Sequence, residues 1–252
     1  MSNISRRKLI ATGLVATAGV AGLAAASRVA RRYGLIPPDD GGLYGPGETL
    51  TYAAQRLLTA HSLAREFPRS MISKAPFANE TAPPDEAFKR HEAAGFRDWR
   101  LSVDGMVARP TTFSLSDLKA LPAHNQITEV VCEEGWSYIA EWIGTPLVNV
   151  LNAVEVLPQA RYIVYFSSQS DWWESIDMAD ALHPQTFLTL GMNDGDLPVK
   201  FGGPLRLRVP RQLGYKSVKY ITRMTATDSL KHFGKGLGSA SPEAGYAWYA
   251  GI

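Results

Sequence analysis

Between Trp99 and Asp228 the chain alternates short strand-like runs with equally short helical stretches, and that texture limits the fold more than any other feature. Trp99–Val107 alternates apolar and polar residues and turns at Asp104-Gly105, a hairpin signal. Ser114 or Ser116 caps a brief helix that Leu121-Pro122 ends, and Gln126–Cys132 reads as a strand leading into the cysteine. Thr145-Pro146-Leu147 opens another helix, with proline in its first turn. Arg161–Ser168, Thr186–Met192 and Val218–Thr227 are strand patterns, and Ser175–Leu182 is a helical turn or a short strand. Leu205–Pro210 alternates leucine and arginine as a half-exposed strand would. Arg206 and Arg208 are expected on opposite sides, at least one of them solvated. Strands interleaved with short helices predict an α+β architecture with a mixed sheet. No Walker loop and no dinucleotide fingerprint occurs, which excludes a doubly wound nucleotide fold.

The chain ahead of this region divides into two parts. Residues 1–32 carry a twin-arginine signature, Ser5-Arg6-Arg7-Lys8-Leu9-Ile10, then the uncharged run Leu9–Ala26, as in an export signal. A cleavage site fits at Ala24–Ala26, but Arg28, Arg31 and Arg32 follow closely, so retention as an anchor stays open. Residues 33–95 form an arm: a linker over 33–50, a surface helix over Thr51–Glu66, an extended proline-bearing stretch over 73–84, and a helix over Asp85–Ala94. Residues 96–230 are the main domain and 231–252 a C-terminal tail. The formal charge of +2 rests partly on the signal's arginines, which leaves no basic surface for nucleic acid.

A single cysteine, Cys132, excludes an internal disulfide, so packing must hold the fold. Two carboxylates follow it in Cys132-Glu133-Glu134-Gly135-Trp136. Negative neighbours oppose thiolate formation, which disfavours a free nucleophile, whereas a bound metal cation would deprotonate the sulfur. No zinc-ligand spacing accompanies it, so such a metal must bring most of its own ligands. His183, before a proline, reads as a structural hydrogen-bonder, and the tryptophans mostly as core. Lys216 and Lys219 read equally well as surface charges.

Val131–Ser137 followed by Trp142–Leu147 resembles the cofactor loop of the sulfite oxidase family. So do Asp180–Thr186, Met192–Gly195, Gly202–Pro210 and Gly214–Tyr220, in order and spacing. The similarity is greatest to the bacterial branch that includes the periplasmic methionine sulfoxide reductase catalytic subunit. It implies a sulfite oxidase-type molybdopterin-binding fold and a molybdenum-molybdopterin cofactor. Cys132 would ligate molybdenum, and Asn79, Ser167, Arg206, Ser217, Val218 and Lys219 would contact the pterin, with Arg206 on its phosphate. Phe201 departs from the family's Asn or His, which removes one polar cofactor contact or moves it elsewhere. Glu133-Glu134 replaces the basic segment that helps animal and plant relatives bind sulfite.

The resemblance therefore implies a periplasmic oxidoreductase (membrane-anchored if the signal is retained) that moves an oxygen atom to or from a small S- or N-oxide substrate. The alternatives are sulfite oxidase-like oxidation and a pterin-binding protein without turnover. One cysteine leaves no haem or iron–sulfur attachment, so electrons pass to or from a separate partner. By the resemblance that partner is a membrane b-type cytochrome.

Overall fold

A computed structural model describes residues 25–31, 33–79, 85–169 and 172–252; the twin-arginine motif and most of the run after it lie outside them. Among the described residues, ten strands form two sheets of five. The first contains β1 (Arg100–Gly105), β2 (Thr111–Ser114), β5 (Tyr162–Ser167), β6 (Trp173–Asp177) and β10 (Ile221–Thr227), in the order β2-β1-β10-β5-β6. It is mixed, since β1 runs parallel to β10 and the other pairs are antiparallel. The second contains β3 (His124–Val131), β4 (Ser137–Pro146), β7 (Phe187–Met192), β8 (Gly195–Asp196) and β9 (Arg206–Arg208). It is antiparallel in the order β3-β4-β7, with β8 and β9 both on the outer edge of β7. The α+β class with short helices is what the texture of the chain predicts.

Period-two side-chain alternation explains how the sheets stack. Leu101, Val103, Ile163, Tyr165 and Met224 from the first sheet join Leu188, Leu190, Leu205 and Leu207 from the second region in one core. The opposite faces are covered too. Val164 meets Tyr52, Leu230, Trp248 and Tyr249, while Val130, Tyr138, Trp142 and Phe187 form a third cluster. Central strands are thus buried on both faces. This is why β4 shows no clean alternation in sequence and was not expected, although it is the longest strand. Gly144 is required in it, because a Cβ there would sit 1.8 Å from the Leu188 carbonyl oxygen across the β4–β7 bulge.

The helices are α1 (Gly45–Leu58), α2 (Glu86–Ala93), α3 (Leu115–Ala120), α4 (Leu147–Ala153), α5 (Met178–Ala181) and α6 (Ala240–Glu243). Asp85 caps α2 by accepting the Phe88 N–H, and Ser114 with Asp117 forms a capping box on α3. Three expectations need correction. The helix expected from Thr51 begins at Gly45, since Pro46 starts its first turn rather than prolonging a linker, and it ends at Leu58 rather than Glu66. It is also no simple surface helix: Tyr52 donates to Asp177 at 2.6 Å, and Arg56 reaches Asp177 and Asp180 at 2.9 and 2.7 Å. Ser175–Leu182 is both alternatives in succession, the end of β6 and then α5.

The third correction concerns β9. Arg206 and Arg208 are two residues apart, so period two places them on the same side, and both are buried, 5% and 1% exposed. Both guanidiniums lie over the Trp142 ring, at 5.6 and 4.7 Å from its centroid.

Candidate functional site

Cys132 occupies the first position of the loop joining β3 to β4. The loop closes on itself: the Cys132 N–H donates to the Trp136 carbonyl at 2.9 Å and the Gly135 N–H to the Cys132 carbonyl at 3.1 Å. Gly135 takes a φ of +91°, which a glycine adopts without strain. The thiol donates to Glu133 Oε2 at 3.3 Å. Burial above all pushes it up to about 12; the Glu134 backbone N–H opposes this, and the neighbouring Glu133 and Glu134 carboxylates add to the rise. At neutral pH it is no free nucleophile. Among the described residues no group of three or more His, Cys, Asp and Glu gathers to hold a metal unaided.

A cavity of about 260 Å³ opens beside the sulfur. Asn79, Cys132, Arg206, Ser217, Val218 and Lys219, six of the seven residues singled out from the sequence, line it together. Ser167 does not. Its hydroxyl donates to the Lys219 carbonyl at 2.9 Å and accepts the Gln169 N–H at 3.0 Å, so it supports the loop that lines the cavity. The Lys219 ammonium donates to the Asn79 carbonyl at 2.6 Å and the Lys200 carbonyl at 2.9 Å, which ties the arm to this loop. Gly202, at φ +107°, leaves the space these side chains use: a Cβ there would meet Lys219 Cγ at 3.0 Å and Arg206 Cδ at 3.1 Å.

Ser217 organises both arginines. Its carbonyl accepts Arg206 Nε at 2.8 Å, and its hydroxyl accepts Arg208 Nη1 at 3.0 Å. Arg206 Nη1 donates to the Phe201 carbonyl at 2.9 Å. Phe201 therefore serves through its backbone, while its ring packs on Tyr138 and lies outside the cavity lining. Neither Arg206 nor Arg208 pairs with a carboxylate among the described residues. Burial and the nearby Arg206 charge hold Arg208 down to about 9. Two buried cations without an acid ask for an anion, and Arg206 lines the cavity with Nη2 left without an acceptor among the described residues. A group that carries a phosphate and brings sulfur ligands for a metal fits this donor set.

Several lining residues had no signal in the sequence. Gln169 and Trp172 come from the β5–β6 connection, and Ala244 and Tyr246 from the tail. Lys216, expected equally as a surface charge, is fully buried. Its ammonium donates to Glu174 Oε2 at 2.7 Å, the Ser175 carbonyl at 3.0 Å and Ser239 Oγ at 3.1 Å. Glu174 is accordingly buried within β6. His183 is structural as expected: Nδ1 accepts the Gln185 N–H at 3.2 Å, Nε2 lies 3.2 Å from the Ser62 carbonyl, and burial lowers its pKa.

A buried thiol and the buried, acid-free Arg206 lining one cavity fit a bound anionic cofactor better than a hydrolase's nucleophile. The oxidoreductase molybdopterin-binding domain model matches residues 89–232, and the chain belongs to that family. It is a molybdopterin-dependent oxidoreductase of the sulfite oxidase fold. A protein of Azospira oryzae, provisionally named protein-methionine-sulfoxide reductase subunit YedZ1, is 39% identical over 195 residues, 77% of this chain and 70% of that protein. The protein-methionine-sulfoxide reductase catalytic subunit MsrP of Ralstonia nicotianae is 37% identical over 145 residues, 52% of this chain and 44% of its own length. The sulfane dehydrogenase SoxCD from Paracoccus pantotrophus superposes with a TM-score of 0.51 over 53% of this chain and 39% of that one. At 23% identity this last match speaks for the fold alone.

Proposed function

We propose that the protein reduces a small or peptide-borne sulfoxide at the Cys132 cavity, taking electrons from a separate membrane b-type cytochrome on the periplasmic side of the membrane. The observation that carries the reading is the single cavity onto which Cys132 and the acid-free Arg206 both open. In this reading the Cys132 thiolate would ligate molybdenum, Arg206 would hold the pterin phosphate, and Asn79, Ser217, Val218 and Lys219 would line the remainder of the pterin's bed. Bound there, the cofactor supplies a two-electron couple, by which a sulfoxide, two protons and two electrons become a thioether and water.

The protein's own contribution is to orient and select. Glu133 and Glu134 place negative charge beside the sulfur, which repels a sulfite-type anion and leaves a neutral oxide unopposed. The Trp136 indole donates to Glu134 Oε2 at 2.6 Å and packs on Phe77, while Trp172 and Tyr246 complete an aromatic border. Aromatic edges suit the thioether product and its parent oxide. Sulfoxide reductases named among the relatives agree with this choice. The twin-arginine signature supports export, and the lone cysteine supports an external electron donor.

Molybdenum and pterin content of the wild type and Cys132→Ser, purified from cells that make the cofactor, tests the reading together with methionine sulfoxide turnover by a reduced dye. The wild type is expected to hold near-stoichiometric molybdenum and to turn over, and the variant to show an altered molybdenum paramagnetic signal with turnover lost. Wild-type protein without molybdenum and pterin refutes it.

A further inference from the structure

Helix α1 is built inside out. Its two charged residues, Glu48 and Arg56, face the body of the protein, where Glu48 accepts the Tyr249 N–H and Arg56 pairs with Asp177 and Asp180. Its leucines face outward: Leu50, Leu57 and Leu58 are 71%, 68% and 81% exposed, and Leu43 just before the helix is 81% exposed. At 100° per residue, Pro46, Gly47, Leu50, Thr51, Ala54, Leu57 and Leu58 fall on one arc, every one exposed and none charged. A helix on a water-facing surface carries the opposite pattern.

We propose that this face seats α1 in the boundary between headgroups and acyl chains of an anionic lipid bilayer. Charge favours lipid over a second copy of the chain. From residue 41 to 64 the only acid is the buried Glu48, while Arg28 before this stretch and Arg65 after it are exposed cations available to anionic headgroups. A second copy would bring the same uncharged leucine face, with acids only at its flanks, Asp40 paired with Arg31 and Glu66 beside Arg65. The chain outside the structure agrees. The uncharged run Leu9–Ala26 has about the length of a bilayer crossing, and residues 27–44 join it to α1. No helix among the described residues is itself long and apolar enough to cross a membrane, so α1 would lie on the surface. This inference does not depend on the reaction assigned to the cavity.

The test uses the full chain with an environment-sensitive fluorophore on Thr51→Cys, and separately on Ser116→Cys, each mixed with phosphatidylglycerol or phosphatidylcholine vesicles. The parent chain, whose one cysteine is buried, serves as the labelling blank. The expected result is a blue shift at position 51 with phosphatidylglycerol, smaller with phosphatidylcholine, absent at position 116, and lost in Leu50→Glu/Leu57→Glu. Both leucines are exposed, so folding tolerates the change. An equal shift at both positions, or one that survives the double substitution, overturns the proposal. So does a position-51 probe already blue without lipid in a chain that elutes as a dimer, which assigns the face to a second copy.

Discussion

Replacing Glu48 by glutamine should change how stability depends on pH. Asp39 and Glu48 are 3% and 7% exposed, and each uses one oxygen to accept a tail amide: Asp39 Oδ2 from Trp248 at 2.8 Å, Glu48 Oε1 from Tyr249 at 3.0 Å. Their remaining oxygens, Asp39 Oδ1 and Glu48 Oε2, have no hydrogen-bond partner among the described residues, and the two buried carboxyls perturb each other. A proton shared between them would satisfy both oxygens. Burial raises both carboxyls, and together with the neighbouring Asp39 it pushes Glu48 up to about 8, so Glu48 is the group that holds the proton here.

The sign follows from the raised value. Below about 4.5 both the folded and unfolded chains hold this proton, and the fold suffers no charge penalty. Between there and about 8 the folded chain keeps a proton that the unfolded chain gives up, so stability falls as pH rises. One such proton is worth up to about 1.4 kcal/mol per pH unit. Glu48→Gln donates an amide N–H to Asp39 Oδ1, keeps an oxygen for Tyr249, and has nothing to titrate. Urea unfolding at pH 5, 6.5 and 8 should show a slope shallower by roughly 1 kcal/mol per pH unit in the variant, which overtakes the wild type by pH 8. Parallel wild-type and variant profiles would refute the shared proton. The consequence reaches the cofactor, since Ala244 and Tyr246 of the clasped tail line the cavity and Tyr44 donates to the Gly245 carbonyl at 3.0 Å. Pterin loss on dialysis should therefore quicken above pH 8 in the wild type and less so in Glu48→Gln.

Two further changes test the buried charges. Lys216→Met leaves Glu174 buried without its cation and should cost roughly 3–5 kcal/mol of unfolding free energy, much of it recovered in Lys216→Met/Glu174→Gln; a loss under about 1 kcal/mol in urea titrations would contradict the pairing. Arg206→Met should retain pterin roughly 10- to 100-fold more weakly, as expected for losing a charge-assisted hydrogen bond, and its thermal midpoint should no longer rise with inorganic phosphate. A phosphate response equal to the wild type's would place the anion elsewhere.

What the sequence revealed of this site came from residue type at Cys132 and from the family resemblance at the other lining residues. Cys132 beside two acids disfavours a free nucleophile before any fold is known, and the burial of the thiol strengthens the same electrostatic argument. Cap and turn chemistry is local, so α2 and α3 were readable within a residue or two. Partners far apart in the chain were not. Glu174 and Lys216 lie 42 positions apart, and nothing local distinguishes that lysine from a solvated one. The resemblance puts Ser167 on the pterin itself, and its role in supporting the lining loop was not legible, because its bond is to a backbone carbonyl 52 residues away. The tail carries no periodic pattern, since Trp248 and Tyr249 enter a cluster that α1 and β5 complete. Double burial, which hides the alternation on which a strand reading depends, concealed β4.

The buried cations show how the fold separates structural charge from charge held for a ligand. Arg56, Arg211 and Lys216 each meet an acid within the protein: Asp177 and Asp180 for the first, Asp180 for the second, Glu174 for the third. Removing either partner strands a buried charge, so these pairs fix how the arm and tail sit on the sheets. Arg206 and Arg208 are as deeply buried and have no such partner among the described residues; they are held by carbonyls, hydroxyls and the face of Trp142. Neutral acceptors fix a guanidinium in place without cancelling its charge. The positive potential that remains extends into the cavity beside Cys132, where an anionic cofactor supplies the counter-charge that the chain omits. Adding an acid here, as in Val130→Glu on the cavity wall, would satisfy the arginines internally and should abolish pterin binding, with circular dichroism checking that the buried substitution still folds. Retained pterin in that variant would show that the arginines' charge is not what binds it.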